Sequence, residues 1–223
     1  MTVLPANAYH FVTTWQVPAR VDEIEAIREI LGAAPDLPRW WPSVYLDVVE
    51  VEAGGPDGVG RVIALYTKGF LPYTPHWTFR VPEVTRGRGF ALEAWGDFVG
   101  RGAWTFEPVG DGDGTRVTYD WRVAAEKGLL RRLSRVMKPL FSANHRWAMA
   151  RGEQSLRIEL ARRRAAGDPA ILAALPSPPG LTFPHHLPIF RGLLARYAGG
   201  TARPSPEPER SSADARVPDI GAR

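Results

Sequence analysis

Apolar and polar positions alternate most sharply over Thr115–Ala124, where Val117, Tyr119, Trp121 and Val123 interleave with Thr118, Asp120 and Arg122. A period of two puts one set on each face of a strand, so this stretch reads as a half-buried β-strand. Similar runs precede it at Tyr9–Val17, Tyr45–Glu52, Gly60–Thr67, His76–Val84, Gly89–Trp95 and Gly100–Glu107. Trp104 and Phe106 share one face of their run, as do Trp77, Phe79 and Val81 of theirs. Gly54-Gly55-Pro56-Asp57-Gly58 and Asp111-Gly112-Asp113-Gly114 supply the left-handed backbone that hairpins need. Short strands joined by such turns predict an antiparallel sheet, not a βαβ array.

The period changes to helical in three places. A helix is expected from about Arg20 to Leu31, followed by a turn-rich piece carrying Trp40-Trp41. A long one is expected over about Lys127–Arg164, with the stripe Leu130, Leu133, Met137, Leu140, Phe141, Asn144, Ala148, Gly152, Ser155 and a kink at Pro139. Asp168-Pro169 before Ile171-Leu172 reads as an N-cap with proline in the first turn, and Leu187–Tyr197 as a short amphipathic piece. Ten of 21 prolines follow Ala165, and Arg203-Pro204-Ser205-Pro206-Glu207-Pro208 fits neither helix nor sheet. The expected organisation is a folded domain over 1–165, an apolar, proline-rich extension over 166–200 that docks on the body, and a disordered tail over 201–223.

Composition narrows the chemistry. The 223 residues include no Cys, which excludes disulfides, thiolate nucleophiles, thiolate zinc sites and iron–sulfur clusters. Met1–His10 has no basic start or apolar core of a signal peptide, and no apolar run is long enough to span a bilayer, so a cytoplasmic location is expected. The net charge of +4 is uneven: residues 127–164 carry 11 Lys and Arg against 2 Asp and Glu, whereas residues 1–126 carry 11 against 17. The expectation is a solvated basic helix face on an acidic body and no nucleic-acid binding, because Arg131, Arg135 and Lys138 lack interleaved aromatics. Contact with an anionic membrane through this helix and 187–197 is the alternative.

Phosphate-loop, dinucleotide-loop, serine-elbow and H-E-x-x-H patterns are all missing. The five histidines show no ligand spacing apart from the adjacent His185-His186 in the proline-rich extension, so neither a metal nor a cofactor is expected.

A strand, a helix, a Trp-rich piece, six antiparallel strands and one long helix make an α+β chain in the helix-grip order, a curved sheet of about seven strands around the C-terminal helix. Gly96-Asp97-Phe98-Val99-Gly100-Arg101-Gly102-Ala103-Trp104-Thr105-Phe106-Glu107-Pro108, followed by Gly114-Thr115-Arg116-Val117-Thr118-Tyr119-Asp120-Trp121-Arg122-Val123, resembles the bacterial polyketide cyclase/dehydrase-like branch of the SRPBCC (START-related) superfamily. Trp40-Trp41-Pro42 and Asn144-His145 with Met149 and Gly152 resemble it too, and the likeness spans residues 8–164. It implies a tunnel between sheet and helix that takes lipids, sterols, polyketides or aromatic compounds.

The residues expected to line such a tunnel are Trp41, Tyr66, Trp77, Phe79, Trp95, Trp104, Tyr119, Trp121, Met137, Phe141, Asn144 and His145. A hydrophobic, aromatic or polyketide-like ligand is the leading expectation. A polyketide cyclase or dehydratase is the second, with His145 as base and Tyr119 or Asn144 as donor to a developing enolate. A membrane-associated lipid carrier is the third.

Overall fold

The computed structural model describes residues 7–126 and 128–182, of which 128–136 only as helical backbone. Leu187–Tyr197, the 201–223 tail, His185-His186 and the side chains of Leu130, Leu133, Arg131 and Arg135 therefore lie outside the described residues. Eight strands form one antiparallel sheet: β1 (Ala8–Val17), β2 (Tyr45–Glu52), β3 (Val62–Thr67), β4 (His76–Arg80), β5 (Val84–Thr85), β6 (Gly89–Gly96), β7 (Phe98–Val109) and β8 (Gly114–Ala125). The spatial order is β1-β8-β7-β6-β4-β3-β2, with the two-residue β5 paired to β6 off this path. Four helices accompany the sheet: α1 (Ile24–Gly32), α2 (Leu37–Trp40), α3 (Gly128–Arg164) and α4 (Pro169–Ala174). This is the helix-grip arrangement.

The expected single run His76–Val84 divides after Arg80. Val81 still donates to the Arg61 carbonyl at 3.0 Å, but Pro82 has no N–H to continue the ladder, and Val84 pairs with Phe90 instead. In the hairpin turns Gly54 and Gly112 adopt φ of +72° and +90°, conformations that carry a steric penalty for any side chain. The first helix starts with a 3₁₀ turn over Val21–Glu23, in which Glu23 accepts from the Arg20 backbone N–H. α1 then buries Ile24, Ile27, Ile30 and Leu31 on one side.

α3 runs unbroken through Pro139 and lies against the inner face of the sheet. Ser155, Leu156, Glu159 and Leu160 are its deeply buried residues near the C-terminal end. Its side chains also cover the outer edge of β1. Lys138 donates to the Ala8 carbonyl at 2.9 Å, Arg157 to the Gln16 carbonyl, and the Glu153 carboxylate accepts from the Gln16 N–H at 3.2 Å. An edge strand otherwise offers unpaired backbone groups to any neighbouring chain.

The charge imbalance of the sequence is partly resolved by folding. Arg163 and Arg164 of α3 reach Glu29 and Glu23 of the acidic body, at 3.1 and 2.6 Å. In return, the buried Glu159 of α3 takes a bidentate pair from Arg39 of α2 at 2.7 and 2.8 Å. Arg39→Ala should strand that carboxylate and cost about 2 kcal/mol in urea denaturation, below the roughly 3–5 kcal/mol of a fully buried pair because Arg39 is itself half exposed. Glu159→Gln, which keeps the amide within reach of Arg39, should cost less.

α4 is capped by Asp168, whose carboxylate accepts from Ala170 and Ile171, and it buries no residue. The chain then passes Pro176, whose carbonyl accepts from Arg162, and reaches Thr182. Among the described residues no helix is long and apolar enough to cross a membrane.

Candidate functional site

Between the sheet and α3 lies a cavity of about 160 Å³. β1 contributes Tyr9 and Phe11, β4 contributes Trp77 and Phe79, β6 Phe90 and Leu92, β7 Phe98 and Trp104, and β8 Tyr119, Trp121 and Val123. All of these follow from strand parity. Gly102 stands opposite Trp121 in the β7–β8 register, and a Cβ there would crowd the indole, so the missing side chain leaves the ring its place. α3 supplies Phe141, Asn144, His145, Ala148 and Met149, spaced three and four apart on one helix face. Leu31, Leu37, Trp41 and Val44 also line it, as do Lys68, Gly69, Tyr73 and Pro75 of the β3–β4 loop, whose Lys68 N–H donates to the Val44 carbonyl at 2.9 Å.

The aromatic wall is continuous. Ring centroids step from Trp77 to Trp121 at 5.5 Å, to Tyr119 at 5.5 Å and to Trp104 at 4.2 Å, and Trp15, which does not itself line the cavity, links Trp104 at 5.1 Å to Trp41 at 5.7 Å. Rings held this way present flat apolar faces at fixed angles, which suits an apolar or aromatic guest. Burial pushes the Tyr45 and Tyr119 hydroxyls far up, and Tyr73 up to about 12, so all three stay protonated at neutral pH.

Nine of the twelve sequence-derived residues are on this wall: Trp41, Trp77, Phe79, Trp104, Tyr119, Trp121, Phe141, Asn144 and His145. Three are elsewhere. Tyr66 lies on the outer face of β3, since Ile63 and Leu65 hold the inner parity; it packs on His76 at 4.1 Å and donates to Thr74. Trp95 shares the outer parity of β6 with Glu93, opposite Phe90, Leu92 and Ala94. Met137 has the inward helical phase but sits one turn before Phe141, outside the described wall.

Asn144 holds a loop. Its Oδ1 accepts from the Leu71 N–H at 3.0 Å, and its amide fills the space where a Cβ on Gly69 would stand. His145 stacks on Phe11 with centroids 4.1 Å apart and faces the Thr13 hydroxyl at 3.4 Å. Burial lowers its pKa to about 4, and the Arg146 charge adds to the effect. A neutral imidazole of that basicity is a poor proton acceptor at pH 7. Among the described residues no group of three or more His, Asp or Glu is placed to hold a metal ion.

Sequence reasoning missed Tyr9, Phe11, Tyr45, Tyr73, Phe90 and Phe98 on the wall. The parity of Tyr9 and Phe11 with Trp15 and Val17 was the available signal for the first two. It also missed Lys68, which is only 2% exposed, with its pKa lowered to about 8 by loss of water. Its Nζ donates to the Thr182 carbonyl at 3.1 Å. A lysine at the end of a strand carries no sequence mark of burial.

Comparison with known proteins agrees with this architecture. The fold is similar to that of the ZhuI aromatase/cyclase from Streptomyces sp. R1128, with TM-score 0.57 and 18% identity over 72% of this chain and 98% of that one. It is also similar to TTHA0849 from Thermus thermophilus, with TM-score 0.51 and 16% identity over 66% of this chain and 97% of that one. At these identities the likeness is one of fold. No curated protein matches the sequence significantly. Residues 9–157 match the family described as polyketide cyclase / dehydrase and lipid transport, and by this match over most of its length the chain belongs to that family.

Proposed function

We propose that this protein binds a hydrophobic small molecule, aromatic or polyketide-like, in the space between the sheet and α3. The observation that carries the reading is the cavity of about 160 Å³ walled by contiguous aromatic side chains. An apolar cavity of about this size in another protein stays dry and takes up benzene. Ligand pockets are in general mostly apolar with a few placed polar groups, and Tyr119, Asn144 and Lys68 supply those here. The family and the likeness to an aromatase/cyclase support the same class of ligand. Binding stands ahead of cyclisation in this reading, because His145, the base a cyclase would use, has its basicity suppressed. Residues 1–165 carry every described wall residue, and we take that span as the binding unit.

The test is a paired one on Ala148, a cavity-wall residue of α3. Ala148→Phe places a phenyl ring where the ligand is proposed to sit. The expected outcome is a melting temperature close to the parent, and loss of the tryptophan-emission change that toluene or naphthalene produces in the parent. A parent that binds neither probe, with a variant destabilised by the roughly 1–3 kcal/mol typical of overpacking, would overturn the reading.

A further inference from the structure

We infer that the binding site has a second compartment: a neighbouring cavity of about 290 Å³ takes the far end of an elongated ligand, and that end carries a neutral oxygen acceptor, a ketone. The inference rests on the proposed binding role and names the shape and functional group of the ligand.

Size motivates it. The first cavity, at about 160 Å³, suits a single benzene-sized ring, whereas pockets for larger ligands run to about 300–1,000 Å³. The second cavity lies between the end of α1, the β2–β3 loop and Arg163 of α3. Leu31, Phe79 and Phe90 line both cavities, so these three side chains form a partition with one cavity on each side. Each stands near the end of an element. Leu31 is the last residue but one of α1, Phe79 the last but one of β4, and Phe90 the second of β6, beside the two-residue β5. Local opening costs least at such places, and a ligand longer than one ring reaches the second cavity by displacing this partition.

The two compartments differ in character. The partition, with Val81 and Val84, gives the second an apolar floor, but Arg28, Arg61 and Arg163 also line it. Two of these guanidinium groups are fixed on lining residues: Arg61 Nη1 donates to the Gly32 carbonyl at 2.8 Å, and Arg163 Nη1 to the Glu29 carboxylate at 3.1 Å. A guanidinium has more N–H donors than such contacts use, and no acceptor, so the group that complements this rim is an oxygen acceptor. The acceptor is neutral because the charges are already matched. Glu25 pairs with Arg28 at 2.6 Å and Glu50 with Arg61 at 3.2 Å, while Glu29 and Asp57 belong to the lining. A carboxylate would meet at least as many like charges as opposite ones, and would lose its water as well.

The test follows tryptophan emission of the full chain with toluene, 6-phenylhexan-2-one and 6-phenylhexanoate. The ketone is expected to bind at least ~10-fold more tightly than toluene, from the added apolar area that a second compartment buries, and more tightly than the carboxylate. Gly32 lines the second cavity and not the first, and a Cβ there meets nothing within 4 Å. Gly32→Phe therefore fills the second compartment, and should bring the ketone down to the affinity of toluene while toluene binds as before. Arg163→Met, on the partly exposed last turn of α3, should weaken the ketone ~3-fold or more through the lost donors and leave toluene unchanged; it decides the matter should Gly32→Phe fail to fold. If toluene binds but the ketone gains nothing over it, keeps its gain in Gly32→Phe, or is indifferent to Arg163→Met, the second compartment is overturned and the binding role stands. A carboxylate that binds as tightly as the ketone overturns the neutral acceptor. If no compound binds the parent, the compartment and the binding role both fall.

Discussion

Acidified from pH 7 to pH 4.5, the protein should lose about 2–3 kcal/mol of unfolding free energy, most of it through His145. The folded-state pKa of this imidazole is about 4, against an ordinary value of 6.5. Between those two values the unfolded chain takes up a proton that the folded chain refuses, so stability rises with pH across the window and falls as pH is lowered through it. The contribution is complete above about 6.5 and exhausted near 4. Glu23 and Glu25 also lose stabilisation on acidification, because Arg164 and Arg28 hold their carboxyls below the usual 4.5. Their loss begins where that of His145 is almost finished. The check is urea denaturation at intervals between pH 4.5 and 7, with His145→Gln expected to flatten the profile. An imidazole NMR titration of the parent with a midpoint near 6.5 would contradict the account directly.

The second large effect is expected at Gly152. Its α-carbon lies so close to the Trp41 ring that a Cβ would overlap the indole. Trp41 is held by Trp15, Trp40 and Tyr45, with centroids at 5.7, 5.5 and 5.2 Å, so a retreat would have to carry it into the cavity it lines and away from these rings. Gly152→Ala should therefore cost about 2–3 kcal/mol, although alanine is the better helix former. For a domain of this size that is a fall of roughly 5–10 °C in Tm. Trp41→Phe removes the ring atoms that collide, so the double variant should be less destabilised than the two single ones together. Strict additivity would show that the overlap is relieved by a shift of α3, not resisted by the tryptophan cluster.

The same two positions show what a sequence can and cannot convey. Gly152 and Ser155 on the α3 stripe are compatible with close approach to the sheet or with room for something else, and neither marks the tryptophan that follows α2 as the neighbour of Gly152. β8 was legible because Val117, Tyr119, Trp121 and Val123 alternate strictly and every one faces inward. The division of His76–Val84 was written in Pro82, whose missing N–H ends the ladder. Tyr66 and Trp95 were misplaced because aromatic character outweighed parity: their neighbours Leu65 and Ala94 already held the inner face. Lys68 was invisible for a different reason. A charge at a strand end is ordinarily solvated, whereas this one is buried with its Nζ on the carbonyl of Thr182, distant in sequence. Asn144 needed a partner, as any part-buried amide does, but that the partner is the Leu71 N–H depends on a loop conformation no local pattern encodes.

The pairing of β1 with β8 has a consequence for how the protein is made. Ala8 registers with Ala124 and Val17 with Thr115, so the first-made strand of this sheet pairs with the last-made one. Contacts this far apart in sequence slow folding, because the chain between them must be ordered before they form. During synthesis β1 has no sheet to join until residue 125 has emerged, and no cover for its outer edge until Lys138, Glu153 and Arg157 follow. Over that interval its ten residues, with Tyr9, Phe11 and Trp15 among them, are an exposed adhesive segment. The growing chain is thus most in need of a chaperone at β1, and a nascent chain stalled short of α3 should be its most aggregation-prone form.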